Sequence, residues 1–111
     1  MTMRTETSLN KSTSVERLPG DVAQCASRID DIDRKIVNLL LSRFELSRHI
    51  GTLKVQLGAE PFDPNRVREQ KAYFVSSCVR GGLDKRMAAL VIDAILEQVV
   101  SERISRLTLD K

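Results

Sequence analysis

Four cations in this 111-residue chain stand where the sequence pattern calls for burial or convergence: Arg43, Lys54, Arg66 and Arg103. Arg43 interrupts an apolar seam that steps by three and four: Ile29, Ile32, Ile36, Leu39, Arg43, Leu46, Ile50, Leu53, Leu57. Lys54 follows Arg43 by eleven residues, three helical turns, so the two share a face to within about 20°. Arg103 falls near the middle of a second apolar face built from Ala88, Ile92, Ile95, Leu96, Val99 and Leu107. A guanidinium does not lose its proton at any working pH. An unpaired cation at such a position costs several kcal/mol unless an anion arrives. For each residue alone a plainer role exists. Arg43 suits a register-setting polar residue or one paired to a buried acid. Lys54 suits a lysine that snorkels to the surface, and Arg66 a solvated residue in a first turn. Taken together, the cations favour a shared cavity. There is no Cys/His metal cluster, no Gly-rich phosphate loop and no nucleophile beside a base. A pocket of Arg and Lys without a general base binds a small dicarboxylate, or promotes a reaction that needs only positioning and charge stabilisation.

The elements that must carry these residues are helices. Aromatics are 4% of the chain and Trp is absent, so the core is aliphatic, and no alternating strand pattern appears. The apolar seam runs from Val22 to Leu57 without a proline. Asp21 and Gln24 offer a capping box at its start, and Gly58 a stop at its end. Gly51 is a tolerable interior glycine. Asp63-Pro64 opens a second helix, with a carboxylate cap and proline in the first turn. That helix packs Val67, Phe74 and Cys78, runs to about Val79 and ends at Gly81-Gly82. Asp84 caps a third helix that reaches about Leu107. The fold is therefore all-α, with three helices per chain, one of them very long. A first helix of about 35 residues is roughly 50 Å long, more than a single compact chain of this size buries. The seam calls for a second copy, with two-fold symmetry the default.

Residues 1–20 are Ser/Thr-rich and read as a disordered tail, which leaves residues 21–111 as one helical domain. Lys and Arg total 18 and Asp and Glu 15, a net charge of +3. The signs alternate along the chain with no like-charge run, which argues against nucleic acid. No export or membrane segment appears, and Cys25 and Cys78 read as reduced core thiols, so the expected location is the cytoplasm. His49 and the group Asp30, Asp31 and Asp33 read as structural or solvated.

The stretches "RIDDIDRKIVNLLLSRFELSRHIGTLK", "DPNRVRE", "GLD" and "ILEQVVSER" resemble the all-helical (AroQ-class) chorismate mutases over about Val22 to Leu107. The shared pattern is I-D-x-I-D, an Arg ten residues on, then G-x-x-K. The resemblance implies an intertwined homodimer of three-helix chains, free of metal and cofactor, that rearranges chorismate to prephenate. It implies that Arg43 grips a substrate carboxylate and that Lys54 contacts a carboxylate and the ether oxygen. Asp63 and Arg66 would touch the ring side. The sequence also departs from the family pattern. The cross-subunit arginine is Ala26. The glutamate that receives the ring C4-hydroxyl is Val67, the serine of the third helix is Val99, and the glutamine that donates to the ether oxygen is Arg103. Arg103 keeps a donor where negative charge develops, whereas Ala26, Val67 and Val99 remove contacts to one carboxylate and to the C4 region. Loss of such contacts changes specificity strongly, which points to 4-amino-4-deoxychorismate as an alternative substrate. An isochorismate-pyruvate lyase and a non-catalytic helical dimer that binds a partner or effector remain the other readings.

Overall fold

The computed structural model describes residues 20–109 and contains three helices among them: α1 (Gly20–Leu57), α2 (Pro64–Arg80) and α3 (Lys85–Leu109). No strand occurs among the described residues. The expected N-terminal tail lies outside the described residues except for Gly20. That residue joins the first turn of α1, and Asp21 sits inside the turn rather than capping it. α2 and α3 run one and two residues past their expected ends, the usual uncertainty of helix termini.

The remaining boundaries follow from local chemistry. α1 ends in a Schellman turn: Gly58 takes φ +67°, its N–H donates to Val55 O at 3.2 Å, and Ala59 N–H donates to Lys54 O at 2.9 Å. Such a φ favours glycine, which has no Cβ to clash. Asp63 caps α2, its Oδ1 accepting from the N–H groups of Asn65 (3.1 Å) and Arg66 (3.2 Å). A second Schellman turn on Gly82 closes α2, with Leu83 N–H donating to Cys78 O at 2.9 Å. Two residues later Asp84 Oδ2 accepts from Met87 N–H at 2.9 Å and starts α3.

The chain divides into two units, residues 1–42 and 43–111. Within the second, α2 and α3 pack on each other as a helical hairpin. The core is the stripe Ala88, Ile92 and Leu96, spaced by one helical turn and at most 7% exposed. Ile95, Val99 and Leu107 are half-buried on the same helix. Lys71 and Asp93 pair across the hairpin at 3.0 Å, a surface contact of little weight.

The seam of α1 behaves in the opposite way. All eight of its aliphatic side chains, from Ile29 to Leu57, are exposed. The first unit, described from Gly20 to Ser42, holds half of them and buries no residue. Its carboxylates Asp30, Asp31 and Asp33 are solvated as expected, with Asp31 paired to Arg34. Cys25, expected in a core, is exposed because no described residue covers α1 there, and Cys78 is half-buried; both thiols are free.

Candidate active site

Arg103 lies one turn beyond Val99 on α3, and its side chain crosses to the C-terminal part of α1. Its Nη1 donates to Pro61 O at 2.9 Å. Its Nη2 donates to Ser47 O at 3.3 Å and to Ser47 Oγ at 3.4 Å. The crossing passes over Gly51, which is buried. A Cβ on Gly51 would stand 3.3 Å from Arg103 Nε and 3.5 Å from its Cδ. Nε itself is buried without a hydrogen-bond partner among the described residues. All the acceptors of Arg103 are neutral oxygens. Burial lowers its pKa from the ordinary arginine value, yet arginine starts so high that the charge remains.

Two recesses meet at this side chain. The smaller, about 240 Å³, is lined by Gly51, Lys54, Gly58, Pro61, Arg103 and Arg106, with Val55, Ala59 and Leu107 completing the wall. Three of these residues are cations and none is an acid. The larger, about 400 Å³, shares Gly51, Arg103 and Arg106 and adds Ser47, Arg48, Gln98, Val99 and Glu102 among others. Its one carboxylate is already engaged. Arg48 donates to Glu102 through Nε at 2.9 Å and Nη2 at 3.0 Å, and Gln98 Nε2 adds a bond of 3.2 Å. The Arg48 hydrogen bond, then that of Gln98, holds the Glu102 carboxyl below its usual range. The same pairing raises the pKa of Arg48.

Cationic side chains thus gather at a small recess, and the one carboxylate among the described residues of the adjoining recess is tied to Arg48. Comparison with known proteins gives this arrangement a lineage. Residues 25–104 match the family model described as chorismate mutase type II, which is well over half of the chain. The chain belongs to this family. A curated chorismate mutase from Methanocaldococcus jannaschii is 26% identical over 76 residues, 68% of this chain and 77% of the relative. No solved structure gives a significant match. The all-α, three-helix fold accords with that membership, and the chain is an isomerase of the chorismate mutase type.

Against the chorismate mutase pattern, the single chain assembles part of the expected set. Lys54 and Arg103 share the smaller recess, and Val99 and Arg103 share the larger. Arg43, Asp63, Arg66 and Val67 line neither. Arg43 is half-buried and makes no hydrogen bond or ion pair among the described residues. Asp63 caps α2, Arg66 on the first turn is exposed, and Val67 is half-buried. His49 is exposed.

Three residues of the site were not found from the sequence. Arg106 lines both recesses; its only signal is its place one turn after Arg103, beside the apolar Leu107. Ser47 and Gly51 are spaced by four, so they form a run of small side chains on one side of α1. A larger side chain from a neighbouring helix fits over such a run. Among the described residues no group of His, Cys, Asp and Glu could hold a metal ion, and no helix is long and apolar enough to cross a membrane.

Proposed function

We propose that this protein carries out the [3,3] rearrangement of chorismate, or of 4-amino-4-deoxychorismate, to the corresponding prephenate, in a site completed by a second copy of the chain. The observation that carries the reading is the recess where Lys54 and Arg103 meet, with no acid among its described lining residues. A dicarboxylate brings two negative charges to such a wall. The rearrangement breaks the ether C–O bond while a C–C bond forms between the enolpyruvyl terminus and the ring. No proton has to be removed by the protein. What the site must supply is a folded, diaxial substrate and positive charge where the ether oxygen becomes negative.

In this reading Arg43 and Arg106 hold the carboxylates. Lys54 bridges a carboxylate and the ether oxygen, and Arg103 faces the ether oxygen. Asp63 and Arg66, at the N-terminus of α2, lie on the ring side. Val67 leaves the C4 region without the glutamate of the family pattern, which is the ground for the 4-amino analogue, and Val99 replaces the serine of the third helix. The pairing of two chains is supported by the uncovered seam of α1: eight aliphatic side chains in a row are left to water by the single chain. Closed two-fold pairing is the simplest arrangement that covers them. It would also bring further side chains to recesses that one chain leaves incomplete.

The test is to incubate the purified protein with chorismate, 4-amino-4-deoxychorismate and isochorismate and to identify the products by mass. Prephenate or its 4-amino analogue is the expected product. Pyruvate and salicylate from isochorismate would replace the proposal with a lyase. No turnover of any of the three would make the protein a non-catalytic binding module.

A further inference from the structure

Arg103 and Arg48 are two arginines at the same α1–α3 contact that are held in opposite ways. Arg48 is gripped by both oxygens of Glu102. Arg103, the very next residue after Glu102, receives no carboxylate from the described residues. Its guanidinium rests on Pro61 O, Ser47 O and Ser47 Oγ. An acid at the position of the serine hydroxyl would hold the guanidinium at least as firmly, through a charge-assisted bond. It would also cancel the charge that the recess presents. A neutral acceptor fixes direction and leaves the charge intact.

We infer that Ser47 is a positioning residue for the reaction: its hydroxyl and carbonyl aim the Arg103 guanidinium into the recess without neutralising it, in the space that Gly51 leaves open. The inference rests on the proposed function, and it extends that reading to a residue that acts through Arg103. A long, many-rotamer side chain contributes to a transition state only when its direction is set beforehand. Three features set it here. Acceptors lie on two different segments, α1 and the loop before α2. The aliphatic stem is seated against Gly51, with Cδ 3.5 Å from where a Cβ would stand. The competing acid, Glu102, is occupied by Arg48 and Gln98.

Substitutions at Ser47 separate aiming from mere filling of space. Ser47→Thr keeps the hydroxyl and retains turnover within about twofold. Ser47→Ala removes one acceptor and lowers kcat about tenfold, with KM changed far less, because a misdirected donor is lost mainly in the transition state. Ser47→Asp gives the decisive reading. Its carboxylate pairs with Arg103, so the melting temperature holds or rises while kcat falls about a hundredfold. In an Arg103→Gln background the effects of Ser47→Ala and Ser47→Asp on kcat shrink to within about twofold, since nothing remains to be aimed. Circular dichroism and sedimentation confirm that each variant is folded and associated as the parent is. Full activity in Ser47→Asp overturns the inference. So does a loss from Ser47→Ala that is the same size with and without Arg103. If the parent protein turns over none of the ring substrates, the proposed function itself fails and takes this inference with it. An active parent with additive Ser47 and Arg103 effects removes the inference alone.

Discussion

Replacing Leu39 by alanine tests whether the uncovered seam of α1 is an interface. Leu39 is 70% exposed in the single chain, so that share of its surface is available to a partner. Complete burial of a leucine side chain is worth about 1.5–3 kcal/mol. Seventy per cent of that is about 1–2 kcal/mol for each copy. Two-fold symmetry counts the loss twice, giving about 2–4 kcal/mol for the pair, or roughly thirty- to seven-hundredfold in the dissociation constant. A residual cavity would add to this. Sedimentation velocity over a concentration series reads the change directly: the boundary between dimer and dissociated chain moves to higher concentration by that factor. Ile92, 3% exposed in the core of the hairpin, provides the contrast. Ile92→Ala removes packing inside each chain and lowers stability by about 2–5 kcal/mol. A parent protein that sediments as a compact, folded monomer at micromolar concentration refutes the reasoning. So does a Leu39→Ala variant whose association is unchanged.

Arg103→Gln should lower kcat about a hundredfold, a loss on the order of 3 kcal/mol of transition-state stabilisation, and change KM little; a change confined to KM in steady-state kinetics would remove Arg103 from the ether oxygen. Val67→Glu should shift the ratio of kcat/KM values toward chorismate and away from its 4-amino analogue, and an unmoved ratio would take Val67 out of the C4 region. Glu102 has a folded-state pKa below its ordinary value because Arg48 and Gln98 stabilise the carboxylate. Its contribution to stability is therefore complete above the ordinary carboxylate range, about pH 4.3, and is lost as the pH falls through the lowered value. Glu102→Gln should melt below the parent at pH 7, and thermal scans at successively lower pH should show the two converging.

The parts of this molecule legible in its sequence are those whose causes are local. Asp63 before Pro64, Gly58 after an apolar run, Gly81-Gly82 and Asp84 each act within a few residues, and they start or end helices within a residue of where expected. The cap expected at Asp21 failed by a residue because helix ends are weakly determined. The anomaly of Arg103 on an apolar face was also legible, since it needs only the helical period. How that charge is accommodated was not. The acceptors Ser47 and Pro61 are 56 and 42 residues away, and the role of Gly51 exists only once α3 lies across α1. Arg43 and Arg103 looked alike as interruptions of a seam, yet one is held by three neutral oxygens and the other makes no bond among the described residues. Cys25 was misplaced for a related reason: an apolar period marks a face of α1, and whether that face is covered is not a local property.

The carbonyl of Pro61 gives one connection between helices an unusual standing. Surface connections are ordinarily where a chain tolerates extra residues. Between α2 and α3 that rule should hold, because Gly81 and Gly82 serve only to end one helix before the next begins. Between α1 and α2 it should not. A residue inserted after Glu60 would carry the Pro61 carbonyl away from Arg103 Nη1 and shift Asp63 relative to Gly58. The six residues from Gly58 to Asp63 thus act as a spacer of set length, and related chains that keep an arginine at the position of Arg103 should vary in length after α2 before they vary here.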